Sequence, residues 1–352
     1  MKSFQTERWI VDKSEQSLID HPQVIQASLW IKQDEVVALP TETVYGLAGN
    51  AGSDYAIARI FEAKGRPSDN PLIVHISDRK QLEGLVSSIP KSAEDLMNKF
   101  WPGPLTIVLP KGTKVSEKVT AGLSTVAVRM PNHPVALAVI EASGVPLAAP
   151  SANLSGKPSP TTANHVYEDL KGRIPGIVDG GSTGVGVEST VVECTDNGEI
   201  TILRPGGVTF EELENVVGLG KVMVDPGIDD EKLAPRSPGV KYTHYAPNAP
   251  FVLVDGSPEF LQQLVDKERA AGRRVGILTT EERIGLYRAD SVIPSGVRSN
   301  PETVAQHLYE ALRSFNEANV DQIFGEVFPK TGVGAAIMNR LEKSAGGNVI
   351  KE

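Results

Sequence analysis

Residues 35–47, Glu-Val-Val-Ala-Leu-Pro-Thr-Glu-Thr-Val-Tyr-Gly-Leu, decide the fold, because a short apolar run passes at once into a turn rich in polar side chains. The run over 35–39 is typical of a buried strand, and Pro40 ends it. The turn then carries two hydroxyls, a carboxylate and a phenol. Polar turns at strand ends often hold the functional sites of α/β proteins, although such a turn can also simply cap the next element.

The sequence on both sides of this stretch alternates between helical and strand-like patterns. Residues 24–39 indicate a helix running into a strand, residues 54–63 a helix, and residues 71–76 a strand. Further apolar runs lie at 104–109, 125–130, 145–149, 175–179, 189–193 and 200–203, with helical stretches at 79–86, 91–100, 134–143 and 163–170. This alternation predicts an α/β domain with a mixed sheet.

The composition changes near Gly206, where a short helix over 209–216 is followed by Gly- and Pro-containing chain to Pro250. Beyond it, strand-like runs at 251–254 and 275–278 and helical stretches at 258–271 and 301–318 indicate a smaller βαβ domain. We therefore expect a first domain over 1–218, a linker over 219–249 and a second domain over 250–352.

Composition excludes several classes of protein. At 352 residues the chain is long enough for two domains, and its single cysteine, Cys194, excludes an intrachain disulfide and a cysteine-based zinc site. No run approaches the roughly 18 apolar residues of a membrane span, and the first residues lack the apolar core of a signal peptide. We therefore expect a cytoplasmic protein with no membrane contact.

The charge balance argues against a protein whose main partner is the phosphate backbone of a nucleic acid. Residues 1–214 carry 19 basic and 26 acidic side chains, residues 215–352 carry 16 and 18, and the whole chain has a net charge of -9. Because neither half is basic, any anion must be held by a local cluster of cations.

Several catalytic motifs are absent from the sequence. It contains no Walker-type phosphate loop, no His-Glu-x-x-His and no Gly-x-Ser-x-Gly, and Gly332–Ile337 lacks the third glycine of a dinucleotide fingerprint. The six histidines show no metal-ligand spacing. We therefore predict no metal site on the protein itself.

Two cations stand in a polar cluster between the helix at 54–63 and the next strand. Lys64 and Arg66 flank Gly65, and the same stretch runs on through Asn70. An arginine fork and a lysine point charge could grip a polyphosphate. The alternative is that both offset the negative end of the helix dipole, which explains Lys64 better than Arg66, since Arg66 lies past the glycine. His75, on the strand, fits a core position or a ligand contact.

Small polar residues and two arginines mark the remaining candidate positions. The stretch from Ala149 to Thr161 and the Gly-rich stretch at 180–190 offer short donors that suit either a phosphate site or an ordinary turn. Arg129 and Arg204 lie in or beside apolar strands, where a buried arginine must be paired. The partner could be a protein carboxylate or the carboxylate or phosphate of a ligand.

Together these clusters resemble the YrdC-type L-threonylcarbamoyladenylate synthases. The resemblance rests on Pro40–Leu47, Lys64-Gly65-Arg66, Ser151-Ala152-Asn153 and Ser237–Pro247. A lysine and an arginine at i, i+2 combined with Ser-x-Asn form the family's signature. Val240 departs from the methionine expected in the last motif. The similarity extends over nearly the whole chain and is to the long, two-domain form of the family.

The resemblance implies both a fold and a reaction. The fold is a YrdC-like domain, a twisted mixed α/β sheet with a deep cavity, followed by a smaller Rossmann-like α/β domain. In the reaction, L-threonine, bicarbonate and ATP with Mg²⁺ give threonylcarbamoyl-AMP, pyrophosphate and water. The product is then used by the tRNA threonylcarbamoyl transferase complex at adenosine 37 of tRNAs that read ANN codons. Direct tRNA binding by the synthase is expected to be weak or absent.

The resemblance also implies roles for individual residues. The threonine site would comprise Thr43, His75, Arg129, Ala149 and Ser189, with Arg129 on the carboxylate. The catalytic and ATP-handling residues would be Lys64, Arg66, Asn70, Thr125, Ser151, Asn153, Ser159 and Arg204. Tyr242, His244 and Tyr245 of the linker would form a lid that excludes water from a labile anhydride.

Two other functions remain open from the sequence. One is a carbamoyl-phosphate-processing enzyme, whose known forms carry zinc-finger segments that a chain with one cysteine lacks. The other is an RNA-binding or ribosome-assembly factor without catalysis, against which the acidic balance of both halves counts. The sequence indicates neither a ligand for the second domain nor an oligomeric state.

Overall fold

The computed structural model describes residues 3–227 and 245–352 and divides them into two compact units. The first unit comprises residues up to 155, 160–184 and the described residues from 188 to 227. The second comprises 245–352 together with two short segments from the first half of the chain, 156–159 and 185–187. The predicted α/β class, with a mixed sheet in the first part and a smaller Rossmann-like second part, is confirmed.

Within residues 3–227 the first unit is built on an eleven-stranded mixed sheet. The strand order is β1-β8-β2-β3-β7-β4-β6-β5-β9-β10-β11, and both parallel and antiparallel pairs occur. The strands are β1 (Glu7–Ile10), β2 (Val37–Leu39), β3 (Gly46–Asn50), β4 (Ile73–His75), β5 (Leu105–Pro110), β6 (Thr125–Arg129), β7 (Leu147–Ala148), β8 (Gly176–Asp179), β9 (Thr190–Cys194), β10 (Ile200–Arg204) and β11 (Val222–Val224).

Helices cover the sheet unevenly. They are α1 (Pro22–Lys32), α2 (Asp54–Lys64), α3 (Lys91–Phe100), α4 (Glu117–Thr120), α5 (Pro134–Ser143), α6 (Ala163–Leu170) and α7 (Phe210–Val217). The buried side chains of α2, α3, α6 and α7 share one core, whereas those of α1 and α5 belong to a second core with β2, β7 and β8. The two groups therefore pack on opposite faces of the sheet.

The helix predicted over residues 79–86 is wrong beyond its first turn. A 3₁₀ helix spans Arg79–Leu82, and Asp78 forms a capping box at its start. Gly84 then takes a φ of +82°, which a continuing right-handed helix cannot include. Leucine and valine spacing predicted a helix here, but the glycine turns the chain into a loop.

A small cluster of buried apolar side chains, separate from the two large cores, lies on one face of the sheet of the first unit. Ile73, Val108, Ala127, Val191 and Leu203 are buried together, while their neighbours along the strands, such as Val74 and Val128, point into the large core of α2 and α3. Because side chains alternate along a strand, this cluster marks the opposite face of β4, β6, β5, β9 and β10. The candidate site lies on this face.

The second unit is a parallel α/β layer structure. Its described residues form a five-stranded sheet in the order β14-β13-β15-β12-β16, and every pair is parallel. The strands are β12 (Phe251–Asp255), β13 (Val275–Thr279), β14 (Ser291–Pro294), β15 (Gln322–Glu326) and β16 (Val349–Lys351), and the helices are α8 (Pro258–Ala270), α9 (Pro301–Ala318) and α10 (Gly334–Ser344). Across residues 3–227 and 245–352, no helix combines the length and apolar character of a membrane span.

Candidate active site

An imidazole and a guanidinium lie side by side at the centre of the candidate site. Strands β4 and β6 are parallel neighbours whose register pairs His75 with Arg129 and Ile73 with Ala127. Ile73 and Ala127 line the small apolar cluster, and His75 and Arg129 follow two residues later, so they point to the same face. Both side chains are buried.

The Arg129 guanidinium is held by three different groups. Its Nε donates to the Gly103 carbonyl at 3.1 Å, its Nη1 donates to Thr43 Oγ1 at 2.9 Å, and its Nη2 lies 2.6 Å from Glu42 Oε1. Both Glu42 oxygens are shielded from solvent and make no hydrogen bond of regular geometry, so the ion pair is their main compensation. Arg129 thus brings a fixed positive charge to this sheet face.

His75 contributes a neutral imidazole to the site. Burial, and secondly the charge of Arg129, lower the pKa of His75 to about 3. Its Nδ1 lies 3.3 Å from the Ile73 carbonyl. At neutral pH His75 can therefore take part in hydrogen bonds but adds no charge, which leaves Arg129 as the cation of this pair.

The polar turn at 40–45 divides structural and site roles between two threonines. Thr41 Oγ1 donates to the Val44 carbonyl at 2.6 Å and accepts from the Thr43 amide at 3.1 Å, which stabilises the turn. Thr43 Oγ1 instead accepts from Arg129 and lies 2.9 Å from Thr41 Oγ1. Both interpretations of this hydroxyl-rich turn thus apply, each to a different residue.

Ser189 is tied to two neighbours on the same sheet face. Its Oγ lies 2.8 Å from Thr106 Oγ1 and 3.2 Å from Arg204 Nη2. Arg204 also donates to the Ser189 carbonyl, from Nε at 3.2 Å and from Nη2 at 2.9 Å. The buried Arg204 therefore fixes the segment that enters β9 and places a second guanidinium next to a predicted threonine contact.

Lys64 braces the loop that carries the Ser-Ala-Asn motif. Its Nζ donates to the carbonyls of Ser151 and Asn153, the latter at 2.8 Å, and lies 3.3 Å from Asn153 Oδ1. Burial, and secondly the charge of Arg66, lower the pKa of Lys64 well below its usual range. Lys64 ends α2, but its ammonium reaches into the loop rather than to solvent at the helix end.

Four more predicted residues lie within the first unit. Arg66 is partly buried, and its guanidinium carbon lies 5.9 Å from the centroid of the Phe61 ring. Asn70 is buried, and neither the nitrogen nor the oxygen of its side-chain amide makes a hydrogen bond, which is unusual for a buried polar group. Thr125 begins β6, and the Ala149 amide donates to the Ile73 carbonyl at 3.0 Å.

Two predicted residues belong to the second unit. Ser159 is buried in the segment 156–159. Tyr245 is buried with its ring centroid 5.3 Å from that of Tyr309, and its carbonyl accepts from Ser344 Oγ at 3.0 Å. Tyr242 and His244, the other predicted lid residues, lie outside the described residues.

Two residues in the site, Glu42 and Thr106, have no role predicted from the sequence. Glu42 pairs with Arg129, and Thr106 bonds to Ser189. Glu42 belongs to the polar turn at 40–45, but nothing in the local sequence indicates that its partner lies 87 positions further along the chain. Thr106 lies two positions before Val108 on β5, so strand alternation could have placed it on the site face.

No group of three or more His, Cys, Asp or Glu side chains in the described part of the chain is placed to hold a metal ion. The site is instead built from guanidinium, ammonium, imidazole, hydroxyl and amide groups, with the Glu42 carboxylate as the counter-ion of Arg129. The guanidinium and ammonium groups among them are suited to binding and positioning anions.

Comparison with known proteins identifies the class of each part. Residues 30–206 match the Sua5, YciO and YrdC family described as "Telomere recombination", and residues 208–346 match the "Threonylcarbamoyl-AMP synthase, C-terminal domain" family.

Full-length relatives then define the family of the whole chain. The threonylcarbamoyl-AMP synthase of Bacillus subtilis is 58% identical over 99% of this chain and 100% of its own length. That of Pyrococcus abyssi is 47% identical over 92% and 94% of the two chains. The chain belongs to the threonylcarbamoyl-AMP synthase family.

Solved structures agree with this assignment. The crystal structure of Pyrococcus abyssi Sua5 complexed with L-threonine superposes with a TM-score of 0.91 at 44% identity and covers 99% of this chain and 100% of that one. The structure of Escherichia coli YciO, at 23% identity and a TM-score of 0.51 over 57% of this chain, shares the fold of the first part.

Proposed function

We propose that this chain makes threonylcarbamoyl-AMP, pyrophosphate and water from L-threonine, bicarbonate and ATP. The observation that carries the proposal is Arg129, a buried cation on a sheet face with Thr43, His75 and Glu42 around it. Relatives that bear the name threonylcarbamoyl-AMP synthase, one of them similar over its full length, support the same activity.

The threonine carboxylate would bind Arg129. A hydrogen bond between a guanidinium and a carboxylate contributes about 1.5–3 kcal/mol. Thr43, His75, Ser189 and the backbone of Ala149 would surround the amine and the side chain. A neutral His75 suits this role, because a second cation nearby would oppose the binding of threonine's protonated amine, whereas a neutral imidazole can accept a hydrogen bond from it.

ATP would be held by Arg66, Asn70, Thr125, Ser151, Ser159 and Arg204. Lys64 and Asn153 would act mainly by fixing the loop of Ser151, since the Lys64 ammonium is already bonded to that loop. Arg66 is only partly buried, and a guanidinium suits a phosphate. We assign Mg²⁺ to the nucleotide as part of the substrate.

The chemistry needs no nucleophile from the protein. Threonine's amine would combine with bicarbonate to give a carbamate and water, and a carbamate oxygen would attack the α-phosphorus of ATP. The new P–O bond forms as the bond to pyrophosphate breaks. The protein's part is to bring two anions together and to offset their charge. Tyr242, His244 and Tyr245 would exclude water from the mixed anhydride.

The product would serve a tRNA threonylcarbamoyl transferase complex in the cytoplasm, which modifies adenosine 37 of tRNAs that read ANN codons. We propose that the synthase itself contacts tRNA weakly or not at all, because neither half of the chain carries excess positive charge.

An omission experiment tests the activity. The full chain is incubated with ATP, threonine and bicarbonate, and then with each left out in turn, while AMP-containing product and pyrophosphate are measured. The proposal requires product only when all three are present. Pyrophosphate release that does not depend on threonine, or binding of RNA that is tight and insensitive to these substrates, would contradict it.

A further inference from the structure

The second unit contains a charged cluster that the proposed reaction does not use. We call Thr279, Arg283, Tyr287, Arg298 and Glu326 the Glu326 cluster. The Glu326 carboxylate is buried and accepts from Thr279 Oγ1 at 2.8 Å, from Tyr287 Oη at 2.7 Å and from Arg283 Nη1. Arg298 Nη1 lies 3.6 Å from Glu326 Oε2, the oxygen that accepts from Thr279.

The cluster lies at the carboxyl ends of two neighbouring parallel strands. Thr279 ends β13 and Glu326 ends β15, and these strands are paired in parallel. Arg283 and Tyr287 follow β13 along the chain, and Arg298 follows β14. Three separate segments thus converge on one point of the sheet edge.

The chain leaves this edge toward opposite faces of the sheet. Tyr287, which follows β13, shares a core with α8 and with Ile277 and Phe324. Gly276 faces the other way, against the ring of Phe315 on α9. The chain after β15 leads to α10, which packs on α9. Adjacent strands that exit to opposite faces open a crevice at their carboxyl ends, the usual ligand position in parallel α/β domains.

The charges at this edge are not fully compensated. The Arg283 and Arg298 side chains remain 31% and 26% exposed and share one carboxylate. Arg298 Nη1 is shielded from solvent yet makes no hydrogen bond. Glu282 at the rim accepts instead from the backbone amides of Arg298 and Ser299, at 2.9 and 3.1 Å. Burial, opposed by the charge of Glu326 and reinforced by that of Arg283, lowers the pKa of Arg298.

We infer that the Glu326 cluster is a binding site for a phosphate-bearing small molecule. Two guanidinium forks on either side of a carboxylate present donors in several directions, which suits a tetrahedral phosphate better than a planar carboxylate. The carboxylate keeps the two arginines together while the site is empty. A bound dianion relieves the repulsion between them.

The test is a calorimetric titration of the full chain with inorganic phosphate, pyrophosphate and AMP in separate arms at low salt. We expect one binding event that Arg298→Gln and Arg283→Gln each weaken by about tenfold or more, because each removes a charged hydrogen-bond donor. Glu326→Gln should tighten it, because the competing negative charge is gone while an oxygen acceptor stays. Arg288→Gln, which removes an exposed arginine from the same stretch, is the matched control and should change nothing.

A second background separates this site from the first unit. Arg66→Ala should leave the binding event intact, whereas an event lost with Arg66 and kept in Arg298→Gln would assign the phosphate to the first unit and overturn the inference. The arm with the highest affinity identifies the ligand as a free anion or a nucleotide. If circular dichroism shows that Arg298→Gln does not fold, Arg298→Lys and Glu326→Gln provide the test instead. If both bind the anion with the same affinity as the wild type, the inference is overturned. Lack of synthase activity would leave this result unaffected.

Discussion

Removal of Arg129 should destabilise the first unit, mainly because it leaves a buried carboxylate without a counter-ion. Arg129→Gln leaves Glu42, whose oxygens are shielded from solvent and make no hydrogen bond, without its cation. Breaking a buried ion pair from one side costs about 3–5 kcal/mol. That is a large part of the 5–15 kcal/mol that typically holds a domain folded.

The reverse change should cost less. Glu42→Gln leaves Arg129 with the Gly103 carbonyl and the Thr43 hydroxyl as acceptors, so the guanidinium keeps two hydrogen bonds. We expect a loss of about 1–3 kcal/mol. The double variant Glu42→Gln, Arg129→Gln contains no unpaired charge, and it should be more stable than the sum of the single effects predicts, by about 2–3 kcal/mol.

Tryptophan fluorescence during urea unfolding can measure these differences for the first unit alone, because Trp9, Trp30 and Trp101 all lie in it. A double-mutant cycle on the exposed ion pair of Lys91 and Asp95 is the control, and its coupling energy should be about 0.3–0.5 kcal/mol. If the effects of Glu42→Gln and Arg129→Gln simply add, the two residues are not energetically coupled and the buried-pair argument fails.

Three further predictions concern pH, the loop and a glycine. Burial lowers the pKa of His133 to about 4 against about 6.5 in the unfolded chain, so the unfolded state binds the extra proton between these values and stability falls as pH drops through this window. His133 should account for about 2 kcal/mol of the fall between pH 7 and 4.5, and the buried His75, whose pKa is lowered to about 3, for a similar part. In urea unfolding at these two pH values His133→Gln should therefore reduce the fall by about 2 kcal/mol, while the exposed His307→Gln should leave it unchanged. Lys64→Met should raise the KM for ATP by about tenfold or more, because the hydrogen bonds from the Lys64 ammonium to the Ser151 loop are lost. The control is Lys99→Met at an exposed position, which should leave the KM unchanged. If steady-state assays give Lys64→Met the same KM as the wild type, Lys64 does not have this role. Gly206→Ala would put a Cβ 2.3 Å from the Glu188 carbonyl oxygen, so it should lower the free energy of unfolding by about 1–3 kcal/mol and shift Ser189, which a raised KM for threonine would reveal. Gly184→Ala is the control, because a Cβ there meets no atom within 4 Å. Unchanged stability and KM in Gly206→Ala would show that the backbone at 188–190 moves without cost.

Local patterns predicted the elements that carry strong periodicity, and long-range pairing decided the rest. The helices at 163–170 and 301–318 begin and end where the sequence predicted, because apolar spacing acts within a few residues. Strand β1 was not predicted, since Glu7–Ile10 is a short edge strand with one buried residue, and its partner β8 begins at Gly176. A pattern that depends on a partner so far along the chain leaves little local signal.

The candidate site shows the same division. Polar residues at strand ends could be recognised from the sequence, but the register that pairs His75 with Arg129 is a tertiary property. The same holds for the contact between Glu42 and Arg129, which makes a residue of the polar turn the counter-ion of a buried arginine. Sequence reasoning left the partner of Arg129 open between a protein carboxylate and a ligand carboxylate. In the described structure the protein carboxylate is present, and the proposed threonine must bind beside it or displace it.

The Lys-Gly-Arg motif gains a physical explanation from the backbone between its two cations. Gly65 ends α2 with a φ of +61°, in the left-handed region that favours glycine. Lys64, the last helical residue, is buried and bonds to the loop at 151–153, while Arg66, past the turn, lies along the Phe61 ring and keeps partial exposure. The reversal at Gly65 therefore sends the two side chains to different surroundings: the lysine bonds to the loop, and the arginine lies near the Phe61 ring. A non-glycine residue at 65 would strain this turn, although a Cβ there meets no neighbouring atom, so its effect should fall on the placement of the two cations rather than on packing.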